Sequence, residues 1–373
     1  MRVGVPKEIK NHEYRVGLTP IAVRELTHRG HEVVVETDAG AAIGLTDEAY
    51  RNAGARLAAD AGEVFAAADM IVKVKEPQPA EIARLRAGQV LFTYLHLAPD
   101  PEQARGLCAS GCFAIAYETV TDDQGGLPLL APMSAVAGRM SIQAGAHCLE
   151  RAQGGQGVLL SGVPGVPPGV VVILGGGVVG ANAARIAIGM GARVVLFEKS
   201  IARMEELDRQ FGPAVVTRYS TAETVEDELL RADLVVGAVL VPGAAAPKLI
   251  TAEHVRRMKT GSVIVDVAID QGGCAETSRP TTHGDPIYVV DGVVHYCVAN
   301  MPGAVAKTAT LALGNATLPY VLALADSGWR RACLDDPHLR AGLNVCGGVI
   351  THEAVALDLG MPYRPAEEFL RAA

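Results

Sequence analysis

Aromatic residues make up only 4% of this 373-residue chain, with a single tryptophan, so a core of packed rings is excluded. Ala, Val and Leu must fill the interior, which suits helices layered on a sheet. No apolar run is long enough to span a membrane as a helix, and the opening MRVGVPKEIK lacks the apolar stretch of a secretory leader. The expectation is a cytoplasmic protein with no membrane partner. Positive charge is also scarce: 33 Lys and Arg stand against 41 Asp and Glu, a net charge of −8. That balance argues against nucleic-acid binding, which uses basic surfaces. No C-x-x-C occurs among the seven cysteines, and no His or Cys group completes a zinc site around Cys108 and Cys112. No metal is expected, and the cysteines read as small buried hydrophobes in a reducing compartment.

What is present is a length that suggests two domains, each able to bury its own core. The most informative stretch is residues 170–198. An unbroken apolar run, VVVIL, reads as a buried strand and is followed by Gly175-Gly176-Gly177-Val178-Val179-Gly180. Residues 181–190 form helices readily, and 193–197 read as a second strand ending in Glu198. Strand, G-x-G-x-x-G turn, helix and strand with a terminal acid is the dinucleotide-binding pattern. The first glycine permits the tight turn, the second admits the pyrophosphate, and the third lets helix and strand pack closely. The helix N-terminus supplies N–H donors. A bare G-x-G-x-x-G is also a tight turn in any α/β protein, but here strand, helix and acid all fall where the mechanism needs them. Glu198 should accept hydrogen bonds from the adenosine ribose and repel a 2′-phosphate, favouring NAD. Lys199 and Arg203 stand nearby, and either could accept a phosphate.

Before this stretch, strand patterns (MRVGVP, HEVVVET, MIVKVK, QVLFTYLH, CFAIAYET) alternate with helical ones such as PIAVRELTHRG, which Thr19-Pro20 opens. Repeated βα units imply a mostly parallel sheet. A long helical pattern covers 134–151, and a Gly/Pro-rich segment, 154–169, reads as turns around a short strand at 157–160. The nucleotide unit continues through strands near AVVTRYS, DLVVGAVL and GSVIVDVAI, and YVVDGVVHYCV reads as a hairpin turning at Asp291-Gly292. The tail from 304 reads as mainly helical and is expected to rejoin the first domain. The fold class is therefore α/β: two doubly wound Rossmann-like domains with the catalytic cleft between them. The expected substrate-binding domain is 1–129 with 307–373, and the NAD-binding domain is 130–306.

Ligands of open α/β sheets bind outside the carboxyl ends of the strands. That rule selects Arg15 in the first loop, Lys75 after MIVKVK, His96 after QVLFTYLH and Asp270 after SVIVDVAI. Arg grips a carboxylate in two places, Lys binds a carboxylate or carbonyl oxygen, and His suits proton transfer. The set fits a small anionic oxo- or amino acid. Bland readings stand beside it. Lys73 and Lys75 share a strand face, so one of them could simply meet solvent. His96 could be a satisfied histidine, and Asp270 before Gln271-Gly272-Gly273 could merely start a turn.

With these residues in view, the chain resembles the alanine dehydrogenase family over its whole length. The matching segments are VGVPKEIKNHEYRVGLTP, MIVKVKEPQ, LFTYLHLAPD, PMSAVAGRMSIQAGAHCLE, GGGVVG, VDVAIDQGGCAETSRPTTH and HYCVANMPGAVAKTATLALGNATLPY. The resemblance implies NAD-dependent, reversible oxidative deamination of L-alanine to pyruvate and ammonium, by a homo-oligomer, commonly a hexamer. Carried over by motif, Arg15 and Lys75 are the substrate-binding pair, and His96 and Asp270 the acid–base pair. The implied cofactor contacts are Ser134, Gly175, Gly177, Val178, Val179, Gly180, Glu198, Arg203, Ser220, Val239 and Leu240. They continue with Val267, Ala268, Ile269, Asp270, Arg279, Val298, Ala299, Asn300 and Met301. The sequence departs from the family where Asp is usual at Glu198, Asn frequent at Ser200 and Ser frequent at Ala309. The alternatives are the nucleotide-binding component of a proton-translocating transhydrogenase, which shares the RVGVPKE-like start, a saccharopine-type enzyme and a non-catalytic NAD sensor.

Overall fold

The computed structural model describes residues 1–239 and 246–371. The chain forms two compact units, one of Met1–Met133 with Val305–Ala373 and the other of Ser134–Ala304.

In the first unit, β1 (Arg2–Val5), β2 (Glu32–Glu36), β3 (Arg56–Ala58), β4 (Met70–Val72), β5 (Val90–Thr93) and β6 (Phe113–Ala116) pair in parallel. Helices cross between them, started by side chains that satisfy orphan N–H groups. Thr19 accepts from the Ala22 N–H to open Pro20–His28, and Asp100 accepts from the Gln103 N–H to open Pro101–Ser110. β3 has no counterpart among the expected strands, because RLA is too short to show any alternation.

In the second unit the strands are β7 (Val170–Leu174), β8 (Arg193–Glu198), β9 (Val215–Tyr219), β10 (Leu234–Gly237), β11 (Val263–Asp266), β12 (Ile287–Val290) and β13 (Val293–Tyr296). Their order is β12-β13-β11-β10-β7-β8-β9, with β12 antiparallel. Without β12 this is the 3-2-1-4-5-6 order of dinucleotide-binding sheets. Alternate residues fill both faces. Val171, Ile173 and Leu196 pack with Ala183, Ala184 and Ala187. Val172, Leu174 and Val195 pack with Leu229 and Val255. The hairpin turns at Asp291 (φ 48°) and Gly292 (φ 82°), the two positive φ values of a type I′ turn.

The tail then returns to the first sheet. Helix Ala306–Asp335 is followed by β14 (Leu343–Cys346), antiparallel to β6, and β15 (Val349–Ile350). The order β15-β14-β6-β5-β4-β1-β2-β3 repeats the 3-2-1-4-5-6 plan in its parallel part. The two strands depart from the expected helical tail: all four LNVC residues are buried, so no alternation marks them.

Three further sequence readings are corrected. Residues 157–160 form no strand, since the Gly157 N–H bonds back to Leu149 O (2.8 Å) at a helix end instead of to a neighbouring strand. The strand before Asp270 stops at Asp266, and Asp270 lies in the 3₁₀ turn Val267–Gln271. Finally, one helical stretch, Met301–Asp335, is by length and composition apolar enough to cross a membrane, its best window having mean hydropathy 1.3 and 44% burial. Buried Ala309, Leu313, Thr317, Val321 and Leu324 recur every three or four residues along it, the spacing of a core-facing stripe.

Candidate active site

The glycine turn of the second unit is shaped by close approach. Gly175 has φ 105°, and a Cβ there would lie 2.7 Å from Ala238 O. A Cβ on Gly180 would sit 1.8 Å from Gly175 O, so helix Val178–Gly189 meets the strand end only because that atom is absent. A Cβ on Gly177 would meet nothing within 4 Å, and Gly177 opens the helix with no side-chain cap. Open space beside uncapped helix N–H groups is where a pyrophosphate fits. The residues present suit a dinucleotide.

Glu198 ends β8 beside this turn. Its Oε1 accepts from the Lys199 (2.6 Å) and Ser200 (3.0 Å) N–H groups, and its Oε2 accepts from the Gly176 N–H at 3.0 Å. Two lone pairs per oxygen leave capacity on Oε2. Arg203 donates from Nε to Gly176 O (2.8 Å) and pairs with Glu206 (2.6 Å), so its charge supports the turn and is partly neutralised.

Most of the remaining cofactor candidates follow the carboxyl ends of strands in the same sheet. Val178 and Val179 open the helix, Ser220 follows β9 and donates its N–H to Glu198 O at 3.0 Å, and Val239 follows β10. Leu240 lies outside the described residues. Val267, Ala268, Ile269 and exposed Asp270 follow β11, and Val298, Ala299, Asn300 (φ 67°) and Met301 follow β13. Arg279 stacks its guanidinium 4.2 Å above the Tyr288 ring, and its backbone N–H donates to the Tyr288 hydroxyl at 2.8 Å. Ser134 lies in helix Ala131–Cys148, which packs closely on the glycine-turn helix: a Cβ on Gly138 would be 2.2 Å from Val179 O.

The acid that pattern reading missed is Asp266. It is fully buried at the end of β11, and its Oδ2 accepts from Ser278 Oγ (2.6 Å) and the Cys274 N–H (2.8 Å). It anchors the loop that carries Arg279. The only sequence signal is an acid closing the apolar run VIVD.

In the first unit, Arg15, Lys75 and His96 follow β1, β4 and β5, which are neighbours in the sheet. The first loop crosses tightly over the end of β4, where a Cβ on Gly17 would stand 2.4 Å from Val72 O. Arg15 is 2% exposed and grips Glu13 in two places, Nε to Oε1 at 2.7 Å and Nη2 to Oε2 at 2.5 Å. Its Nη1 donates to Met133 Sδ at 3.2 Å. One edge of the guanidinium is thus fixed by Glu13.

The two lysines separate cleanly. Lys73 does not meet solvent; it is fully buried, donating to Glu8 (2.9 Å) and Glu81 (2.6 Å). Burial works against its ammonium, but Glu8 and Glu81 outweigh that and hold its pKa above the ordinary lysine value. Removing one partner of such a buried group costs roughly 3–5 kcal/mol, so Lys73 is structural. Lys75 lies in the following loop with a 12% exposed side chain, its Nζ 4.0 Å from Glu76. Glu8 Oε1 accepts the Lys75 N–H at 3.3 Å, and Thr93 Oγ1 donates to the Lys75 carbonyl at 3.0 Å.

His96 lies three residues past β5 and is exposed. Its φ of 48° is left-handed, a conformation that costs a non-glycine residue roughly 1–3 kcal/mol. Tyr94 stacks on it at 5.8 Å between centroids and 11° between planes, and anchors its own hydroxyl on Leu129 O at 2.5 Å. Glu8, Glu13 and Glu118, all absent from the sequence-derived set, hold the backbone or side chain of Lys75, Arg15 and His96.

A family model described as "Alanine dehydrogenase/PNT, N-terminal domain" matches residues 4–137, and its C-terminal counterpart matches 141–353. The alanine dehydrogenase of Halomonas elongata is 60% identical, covering 99% of this chain and 100% of that protein. That of Bacillus subtilis strain 168 is 54% identical, covering 100% of this chain and 98% of the relative. A solved L-alanine dehydrogenase superposes with TM-score 0.94 at 53% identity, over 96% of this chain and 99% of that one. A transhydrogenase from Sinorhizobium meliloti superposes with TM-score 0.81 at 26% identity, over 95% of this chain and 100% of that one. The fold, the nucleotide cradle and this full-length similarity agree, and the chain belongs to the alanine dehydrogenase family.

Proposed function

We propose that this enzyme catalyses the reversible oxidative deamination of L-alanine to pyruvate and ammonium with NAD as acceptor. The full-length similarity to alanine dehydrogenases carries the reading. The family resemblance supports a cytoplasmic homo-oligomer, commonly a hexamer, with substrate bound by 1–129 and 307–373 and NAD by 130–306.

Bound NAD supplies the hydride acceptor; the protein supplies position and proton transfer. The glycine turn holds the pyrophosphate, and the remaining acceptor capacity of Glu198 Oε2 takes a ribose hydroxyl. A 2′-phosphate would meet that carboxylate, which favours NAD over NADP. Arg15 and Lys75 bind the substrate carboxylate and so orient Cα. Once the substrate ammonium has given up a proton, loss of hydride from Cα leaves a protonated imine. His96 deprotonates the water that attacks the imine carbon, giving a carbinolamine. Its collapse to pyruvate and ammonium needs proton transfers that His96 and Asp270 share.

The test is to mix the purified enzyme with NAD⁺ and L-alanine and follow NADH. Turnover with alanine, and none with a second nucleotide as hydride acceptor, is expected. The reverse pattern would select the transhydrogenase reading, and a flat trace in both would select a sensor.

A further inference from the structure

His96 carries its ring on a backbone that L-residues rarely adopt, and the neighbouring strand supplies what holds it there. Thr93 of β5 is in register with Ala116 of β6. Two residues beyond Ala116, in the 3₁₀ turn Tyr117–Thr119, stands Glu118. Its Oε1 accepts from the His96 N–H at 2.6 Å and the Leu95 N–H at 3.1 Å, and its Oε2 lies 3.2 Å from the same Leu95 N–H. On the other side of this peptide, the buried Gln103 donates to Leu95 O at 2.6 Å. A carboxylate accepting two successive N–H groups fixes the turn between their peptides at Leu95, and so fixes the peptide from which His96 departs at φ 48°.

We propose that Glu118 is a positioning residue for the acid–base step. It sets the direction of the His96 imidazole by fixing the Leu95–His96 backbone, without touching substrate. The inference rests on the role proposed for His96. Without the carboxylate, the Leu95–His96 peptide can rotate about the Leu95 backbone bonds, and the ring moves with it. Misplacement of a reacting group by about 1 Å can cost about 100-fold in rate.

Glu118→Ala is expected to lower kcat for alanine oxidation roughly 10- to 100-fold. KM for alanine and NADH binding, read by fluorescence titration, should stay within about twofold because neither Arg15, Lys75 nor the nucleotide unit is touched. Glu118→Gln keeps an oxygen that accepts both N–H groups, so it should recover most of the rate. A general loss of structure would be shared by the two variants and would not spare KM. His96→Ala is measured alongside. If it loses turnover while Glu118→Ala keeps wild-type kcat, or if Glu118→Gln is as slow as Glu118→Ala, positioning by Glu118 is wrong. If His96→Ala itself keeps turnover, the role of His96 falls, and this one with it. Should Glu118→Ala fail to fold, Glu118→Asp draws the carboxylate back by one methylene. A fallen kcat at unchanged Tm then supports the proposal, and wild-type kcat overturns it.

Discussion

Arg15 shows how much a single residue's chemistry depends on partners that no spacing reveals. Sequence position suggested a cation at a strand end; the structure adds that Glu13 takes one edge of the guanidinium and burial removes the water. A lysine here would offer one point charge to two carboxylates. Arg15→Lys should therefore raise KM for pyruvate roughly 10- to 100-fold, the worth of one charge-assisted hydrogen bond, and an unchanged KM would remove Arg15 from the carboxylate site. Two histidines are a second case. His295 has Nε2 2.8 Å from the Thr277 hydroxyl and Nδ1 3.0 Å from Val293 O, so it sits neutral with the proton on Nδ1. Burial holds both His295 and His352 below the ordinary histidine pKa of about 6.5. As pH falls from that value toward the lowered one, the unfolded chain binds protons that the folded chain refuses, so stability is lost in that window. Thermal unfolding should show a lower Tm at about pH 5.5 than at about pH 7, with a shallower fall in His295→Asn. An equally steep fall in that variant would contradict the assignment. Glu8, Glu118 and Asp266 were illegible beforehand for one reason: the place of such a carboxylate is defined by partners that fold near it from Lys73, His96 or Ser278, and periodicity carries no such information.

At the level of elements, the sequence was legible wherever local rules and tertiary packing agree. The strand–glycine–helix–strand of 170–198, the hairpin at Asp291-Gly292 and the helix opened by Thr19-Pro20 all lie where turn and cap chemistry put them. β3, β14 and β15 were not legible, since short or wholly buried strands show no alternation. VIVDVAID reads as one strand ending at Asp270 because apolar residues resume after Asp266, whereas the chain leaves the sheet at buried Asp266 and turns. The glycine turn gives the sharpest prediction at this scale. Gly180→Ala would drive a methyl to 1.8 Å from Gly175 O, pushing the helix off its strand. Overpacking of this kind costs about 1–3 kcal/mol, and NADH binding should weaken together with Tm. Unchanged NADH affinity in a folded variant would show that the turn does not hold the cofactor.

Across the whole molecule, two units repeat one strand order, and Arg15, Lys75, His96 and most of the cofactor candidates follow the carboxyl ends of parallel strands. Among the described residues, only the second unit carries the glycine cradle. The first has instead Arg15, Lys75 and His96 on adjacent strand ends, each held by a carboxylate. One measurement tests whether that division of labour is oxidation of an amino acid at Cα. The enzyme is incubated with NAD⁺ and L-alanine deuterated at Cα, and the nicotinamide product is weighed by mass spectrometry. Direct transfer from Cα predicts a reduced cofactor heavier by a single deuterium, with a slowed initial rate. A reduced cofactor without label, or none formed while a second nucleotide is reduced, would contradict it.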